Sequence, residues 1–175
     1  MKIIDKPEKD EYPPYAEMYM RLVPGDGLVL QRLKKNGNTI KKLFLSLAHE
    51  KLLYRYVPGK WTLKEIIVHL IDDERIYAYR ALRFARNEHI ELHGFNQDDF
   101  VKFSGANERE LHNILEEYDA VRKATISLFN GLPVEALTRI GRTNEGKASV
   151  RALVYHIAGH ELHHLTVIKE KYLKE

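Results

Sequence analysis

His156-Ile157-Ala158-Gly159-His160-Glu161-Leu162-His163-His164 is the stretch on which the reading of this chain turns. Four of the 9 histidines fall within it. His160 and His164 stand four positions apart, so on a helix they project from one face. Two neutral imidazoles at that spacing can grip one divalent cation. The helix that carries them is predicted to open at Ser149 as N-cap and to run almost to Glu175. Leu153, Ile157, His160, His164, Val167 and Ile168 line its inner face.

A third ligand is sought upstream. After the turn Val57-Pro58-Gly59-Lys60, the run Trp61-Thr62-Leu63-Lys64-Glu65 opens a helix. Thr62 and Glu65 form a capping box, and Trp61 with Ile66 forms the matching hydrophobic staple. Ile66, His69, Asp73, Ile76 and Arg80 share roughly 80° of arc at 100° per residue, and the helix is predicted to end near Ala85. If this helix neighbours the last one, His69, His160 and His164 converge in the interior. Three imidazoles around one ion leave a coordination position open, the form of a catalytic rather than a structural site. Zn2+ is the first expectation, and Ni2+ or Fe2+ would accept the same ligands.

Asp73, Arg80 and Glu161 are the candidate catalytic residues. Asp73 follows His69 by one turn and reads as a fourth ligand, as an acceptor that fixes an imidazole tautomer, or as half of an ion pair. Arg80 could hold a substrate carboxylate or phosphate in bidentate fashion, or pair with Asp73 or a Glu. Glu161 occupies the general-base position of an H-E-x-x-H match. A zincin takes its third ligand from downstream, however, and no plausible loop ligand follows His164. His156 and His163 are expected beside the ligand pair, one of them as a pocket group. His49, His89, His93 and His112 read as surface residues, and Trp61 and the tyrosines chiefly as packing.

Composition narrows the chemistry. The chain has 175 residues, 44% hydrophobic and 30% charged, which suits one soluble domain spanning 1–175. No run approaches the roughly 20 apolar residues that cross a bilayer, and no secretory signal is evident at the N-terminus. With no cysteine, disulfides, thiolate nucleophiles and Cys-type zinc sites are excluded. A formal charge of +3, with both signs interspersed, gives no nucleic-acid footprint. A cytoplasmic protein acting on a small molecule, with no membrane or nucleic-acid partner, is the expectation.

Two more helices complete the pattern. One runs from about 27 to 50, with Asp26 as N-cap and Gly37 either at a bend or where a neighbour comes close. The other follows Asn107 and Glu110, read as a second capping box, and ends before Gly131-Leu132-Pro133. Pro7, Pro13, Pro14 and Pro24 make residues 1–25 an extended arm. Residues 131–148 end in a polar turn with room for a small hairpin. Residues 87–106 form a long link, with a helical turn near 97–103. The predicted fold is therefore an all-α four-helix bundle with a long crossover between its second and third helices, in up-down-down-up order if that link carries the chain back along the bundle and up-down-up-down if it is an elaborated loop.

Gly59-Lys-Trp-Thr-Leu-Lys-Glu-Ile-Ile-Val-His69-Leu-Ile-Asp-Asp-Glu, Tyr79-Arg-Ala-Leu-Arg-Phe-Ala-Arg and Ser149 through His164 resemble the DinB/YfiT-like superfamily of metal-dependent enzymes. The likeness extends over nearly the whole chain. It implies an up-down-down-up bundle, commonly a homodimer, with a metal triad that maps onto His69, His160 and His164. Some members of that superfamily are thiol S-transferases or isomerases that use a low-molecular-weight thiol such as bacillithiol, mycothiol or glutathione. Others are called hydrolases. The resemblance thus implies S-transfer at a three-histidine metal site, with a hydrolase of a small amide or ester, or a non-catalytic metal-binding dimer, as alternatives.

Overall fold

The computed structural model describes residues 1–144 and 146–174. Four long helices dominate: α1 (Val29–Leu45), α2 (Leu63–Ala85), α3 (Leu111–Gly131) and α4 (Val150–Val167), the last continuing into a π-helical turn, Ile168–Tyr172. Their directions follow from the cross-links between them. Thr62 and Lys64 bind Asn107 and Arg109, while Arg75 binds Glu117, so α2 and α3 run parallel. Leu33 and Lys41 meet Arg122 and Asp119 in reverse order, so α1 opposes α3. His69 and Asp73 face His160 and His156 in reverse order, so α2 opposes α4. The order is up-down-down-up. Each of α1 and α2 packs on both α3 and α4, which leaves α1–α2 and α3–α4 as the diagonals.

Local chemistry sets most helix ends. The α2 capping box is complete: Glu65 N–H donates to Thr62 Oγ1 at 3.1 Å, and Thr62 N–H to the Glu65 carboxylate at 2.7 Å. Ser149 caps α4 through Ala152 N–H. Two expected caps are differently employed. Asn107 lies in a short turn before α3 and hydrogen-bonds Thr62 and Glu65, tying the two parallel helix starts together. Asp26 accepts from Leu28 N–H and α1 begins only at Val29. α1 passes through Gly37 unbroken but ends at Leu45, and a separate turn, His49–Leu52, follows. The 87–106 link contains the helix Gln97–Phe103. The polar turn is flanked by a hairpin, β1 (Ile140–Thr143) antiparallel to β2 (Gly146–Ser149), whose Glu145 lies outside the described residues.

The core has two apolar halves. One holds Val29, Leu33, Phe84, Phe129, Leu153 and Ile157; the other holds Ile40, Phe44, Ile67, Ile114, Leu115 and Ile168. A polar layer crosses the bundle between them: Gly37 on α1, Asp73 and Glu74 on α2, Arg122 and Thr125 on α3, His160 and Glu161 on α4. Buried charges are costly unless paired, so this layer must be internally satisfied. The N-terminal arm packs on its own chain. Arg151 binds Glu11, Tyr155 Oη donates to Ile4 O, and the helical turn Glu17–Met20 lies against α4.

Candidate metal centre

Adjacent antiparallel helices bring three imidazoles from two elements to one point. His69 Nε2 is 3.1 Å from His160 Nε2, and His164 Nε2 is 3.0 Å from it. Tetrahedral zinc with Zn–N bonds of about 2.0–2.1 Å needs its nitrogens about 3.3 Å apart, so the cluster is close to ligand spacing. Asp73 sets its polarity. His160 Nδ1 lies 3.1 Å from Asp73 Oδ2, an N–H···O contact that leaves one in-plane lone pair on His160 Nε2. One lone pair cannot serve two N–H donors at full strength. A single cation between the three nitrogens takes a lone pair from each, so the donor set fits a divalent metal.

Burial favours the neutral, ligating form of His69 and His164. Desolvation, reinforced by the neighbouring His160, lowers the His69 pKa to about 4 and that of His164 to about 2. Desolvation lowers His156 to about 3, opposed by the nearby Asp73 carboxylate. For Asp73 burial alone would raise the carboxyl; the hydrogen-bonded His160, with His156 and His69 beyond it, holds it well below the ordinary range. Asp73, His156 and His160 also form a second cluster of potential ligand atoms, with His156 Nε2 at 3.8 Å from Asp73 Oδ2.

The cluster sits between two cavities. One, of about 600 Å³, is lined by Tyr19, Asp73, Tyr77, Phe95, His156 and His160. The other, of about 360 Å³, is lined by Tyr56, Lys60, Trp61, His163, His164 and Tyr172. Gln97 and Asp98, at the start of the short crossover helix, border both. The crossover therefore walls the centre as well as reversing the chain.

Several expected roles change on this geometry. Glu161 lies on the other side of α4 from the rings: Arg122 and Tyr118 bind its carboxylate and it is almost fully buried. Consecutive helical residues diverge by about 100°, so the glutamate beside His160 is turned away from the centre and is not placed to be its general base. Arg80 is buried behind Tyr77, its guanidinium 4.9 Å from that ring and Nη2 donating to His93 O at 3.4 Å. It lines neither of the two cavities at the rings but a third beside them, which it shares with Tyr77 and His156. Of the flanking pair, His156 is the buried pocket group, stacked on Tyr77 at 3.8 Å. His163 is part-exposed in the second cavity.

Aromatic residues read as packing are part of the site. Trp61 lies nearly parallel to His164 and 4.8 Å from the His69 ring. Tyr19 meets His156, His160 and His163 edge-on at 4.9, 5.3 and 5.7 Å. Gly159 makes that contact possible: a Cβ there would stand 2.2 Å from the Tyr19 carbonyl oxygen. The only sequence signal for it was a glycine inside the histidine stretch of a buried helix.

Comparison with known proteins agrees with this architecture. Residues 32–168 match the family model described as the DinB superfamily, and the chain belongs to that superfamily. A curated relative from Oceanobacillus iheyensis, named provisionally as a metal-dependent hydrolase, is 27% identical over 143 residues, 80% of this chain and 81% of the relative. The solved structure of YfiT from Bacillus subtilis, described as a probable metal-dependent hydrolase with an unusual four-helix bundle topology, superposes with a TM-score of 0.76 at 14% identity. The match covers 95% of this chain and 91% of that one, and it establishes the shared fold.

Proposed function

We propose that this chain is a metal-dependent enzyme that holds one divalent cation, Zn2+ in the first place, through His69, His160 and His164, and uses it in a reaction of a small molecule. The observation that carries the reading is the convergence of three Nε2 atoms with His160 Nδ1 tied to Asp73. A bound cation would supply Lewis acidity and lower the pKa of a nucleophile at neutral pH. The chain's own residues do the rest. Asp73 fixes the His160 tautomer. Tyr19, Tyr77 and Trp61 shield the rings from bulk water. Lys60, at the second cavity, offers a cation to an acidic group on a ligand.

Two cavities meeting at one centre give room for two organic reactants, which favours transfer to a low-molecular-weight thiol such as bacillithiol. Hydrolysis of a small amide or ester is the second reading, supported by the descriptions of the Oceanobacillus relative and YfiT. No helix among the described residues is long and apolar enough to cross a membrane. A cytoplasmic homodimer without nucleic-acid contacts belongs to the same proposal. Zinc-loaded protein should accelerate conjugation of a thiol from a small panel to monochlorobimane. Release of p-nitrophenol from simple esters without any thiol effect would move the assignment to the hydrolase. Inactivity in both assays with metal bound would remove the enzymatic reading.

A further inference from the structure

Arg122 belongs to α3, which contributes no ring to the centre, yet its guanidinium meets all three other helices. Nε donates to Glu74 Oε1 at 3.0 Å and Oε2 at 3.1 Å, and Nη2 to Glu74 Oε2 at 2.9 Å. Nη1 donates to Leu33 O at 2.6 Å and reaches Glu161 Oε1 at 3.4 Å, while Nη2 also binds Glu161 Oε2. Tyr118 Oη donates to the same Glu161 carboxylate. All of these side chains are buried, and Arg122 is 4% exposed.

The two carboxylates are the chain neighbours of the two residues that make the Asp73–His160 contact. One turn of α2 presents Asp73 to His160 and Glu74 to Arg122. One turn of α4 presents His160 to Asp73 and Glu161 to Arg122. The helices are thus braced twice at one level, directly and through α3. A slide of α2 along α4 by a single residue rise, about 1.5 Å, would break both braces. It would also carry His69 beyond coordination distance, whose tolerance is about 0.2 Å. Apolar packing alone holds register less strictly, whereas a bidentate guanidinium–carboxylate pair is geometrically exacting.

We propose that Arg122, with Glu74 and Glu161, is a positioning device that sets the α2–α4 register of the metal centre, and that this is the role of the glutamate in H-E-x-x-H here. The inference rests on the three-histidine metal reading. Its test uses full-length protein and Co2+ as the probe, reading visible ligand-field bands and chelator-competition affinity, with thermal melts of the metal-free forms. Arg122→Met combined with Glu74→Leu and Glu161→Leu replaces the whole network by apolar side chains, a change that buried ion networks often tolerate in stability. This variant should melt close to wild type without metal but bind Co2+ about 10–100-fold more weakly, the usual cost of losing the support behind a ligand, with altered bands.

Glu161→Gln alone keeps shape and most hydrogen bonds and should fall between the two; it supplies the measurement if the triple variant does not fold. Unchanged affinity and bands in whichever of these variants folds would overturn the proposal, leaving the network a merely structural one. Absence of stoichiometric Co2+ binding by the wild type would overturn the metal reading itself, and this inference with it.

Discussion

Replacing Asp73 with alanine should weaken Zn2+ binding by about 10–100-fold, or about 1.4–2.7 kcal/mol. The magnitude follows from one hydrogen bond. Asp73 Oδ2 lies 3.1 Å from His160 Nδ1 in a buried site. Without the carboxylate, His160 is free to carry its proton on Nε2, where no lone pair remains for a metal. Binding then forces the proton back to Nδ1 and leaves that N–H buried without its acceptor, a cost of about 1–3 kcal/mol. Competition between the protein and a chromophoric zinc chelator measures the difference directly. Affinity within about twofold of wild type would refute the tautomer argument. A loss of many kcal/mol would refute it from the other side. Structural zinc sites bind with about 10–16 kcal/mol through all their ligands together, so a loss amounting to one ligand's share of that marks Asp73 as a ligand rather than a partner of one.

His160→Ala should abolish stoichiometric metal binding together with the rise in melting temperature that Zn2+ produces in wild type, a stabilisation of about 2.7 kcal/mol at a hundredfold excess over Kd; metal content unchanged by elemental analysis would sink the triad. Gly159→Ala places a methyl 2.2 Å from the Tyr19 carbonyl oxygen. It should cost about 1–3 kcal/mol in urea unfolding and speed proteolytic clipping within residues 1–25, and a neutral result would show that the arm's contact with α4 is dispensable.

The fold was readable because its determinants are local. Apolar residues recur at helical spacing in four runs, Thr62 with Glu65 and Ser149 mark two starts, and a long second link lets the third helix run parallel to the second. The misread caps have a physical cause. Asn107 carries a residue type that caps helices, but the parallel start of α2 lies beside it and takes its hydrogen bonds. A local rule cannot weigh a partner brought in by packing.

The candidate site divides along the same line. Spacing alone put His160 and His164 on one face and His69 with Asp73 on another, since a helix repeats its directions every 3.6 residues. The sequence therefore determined the helices, their order and which rings could meet. Only tertiary structure decided what surrounds them. It turned Glu161 toward Arg122, hid Arg80 behind Tyr77, and laid Tyr19 across three imidazoles through the gap left by Gly159. Those outcomes depend on contacts between segments far apart in the chain. Periodicity says which way a side chain leaves its helix, and only the packed neighbours determine what it meets.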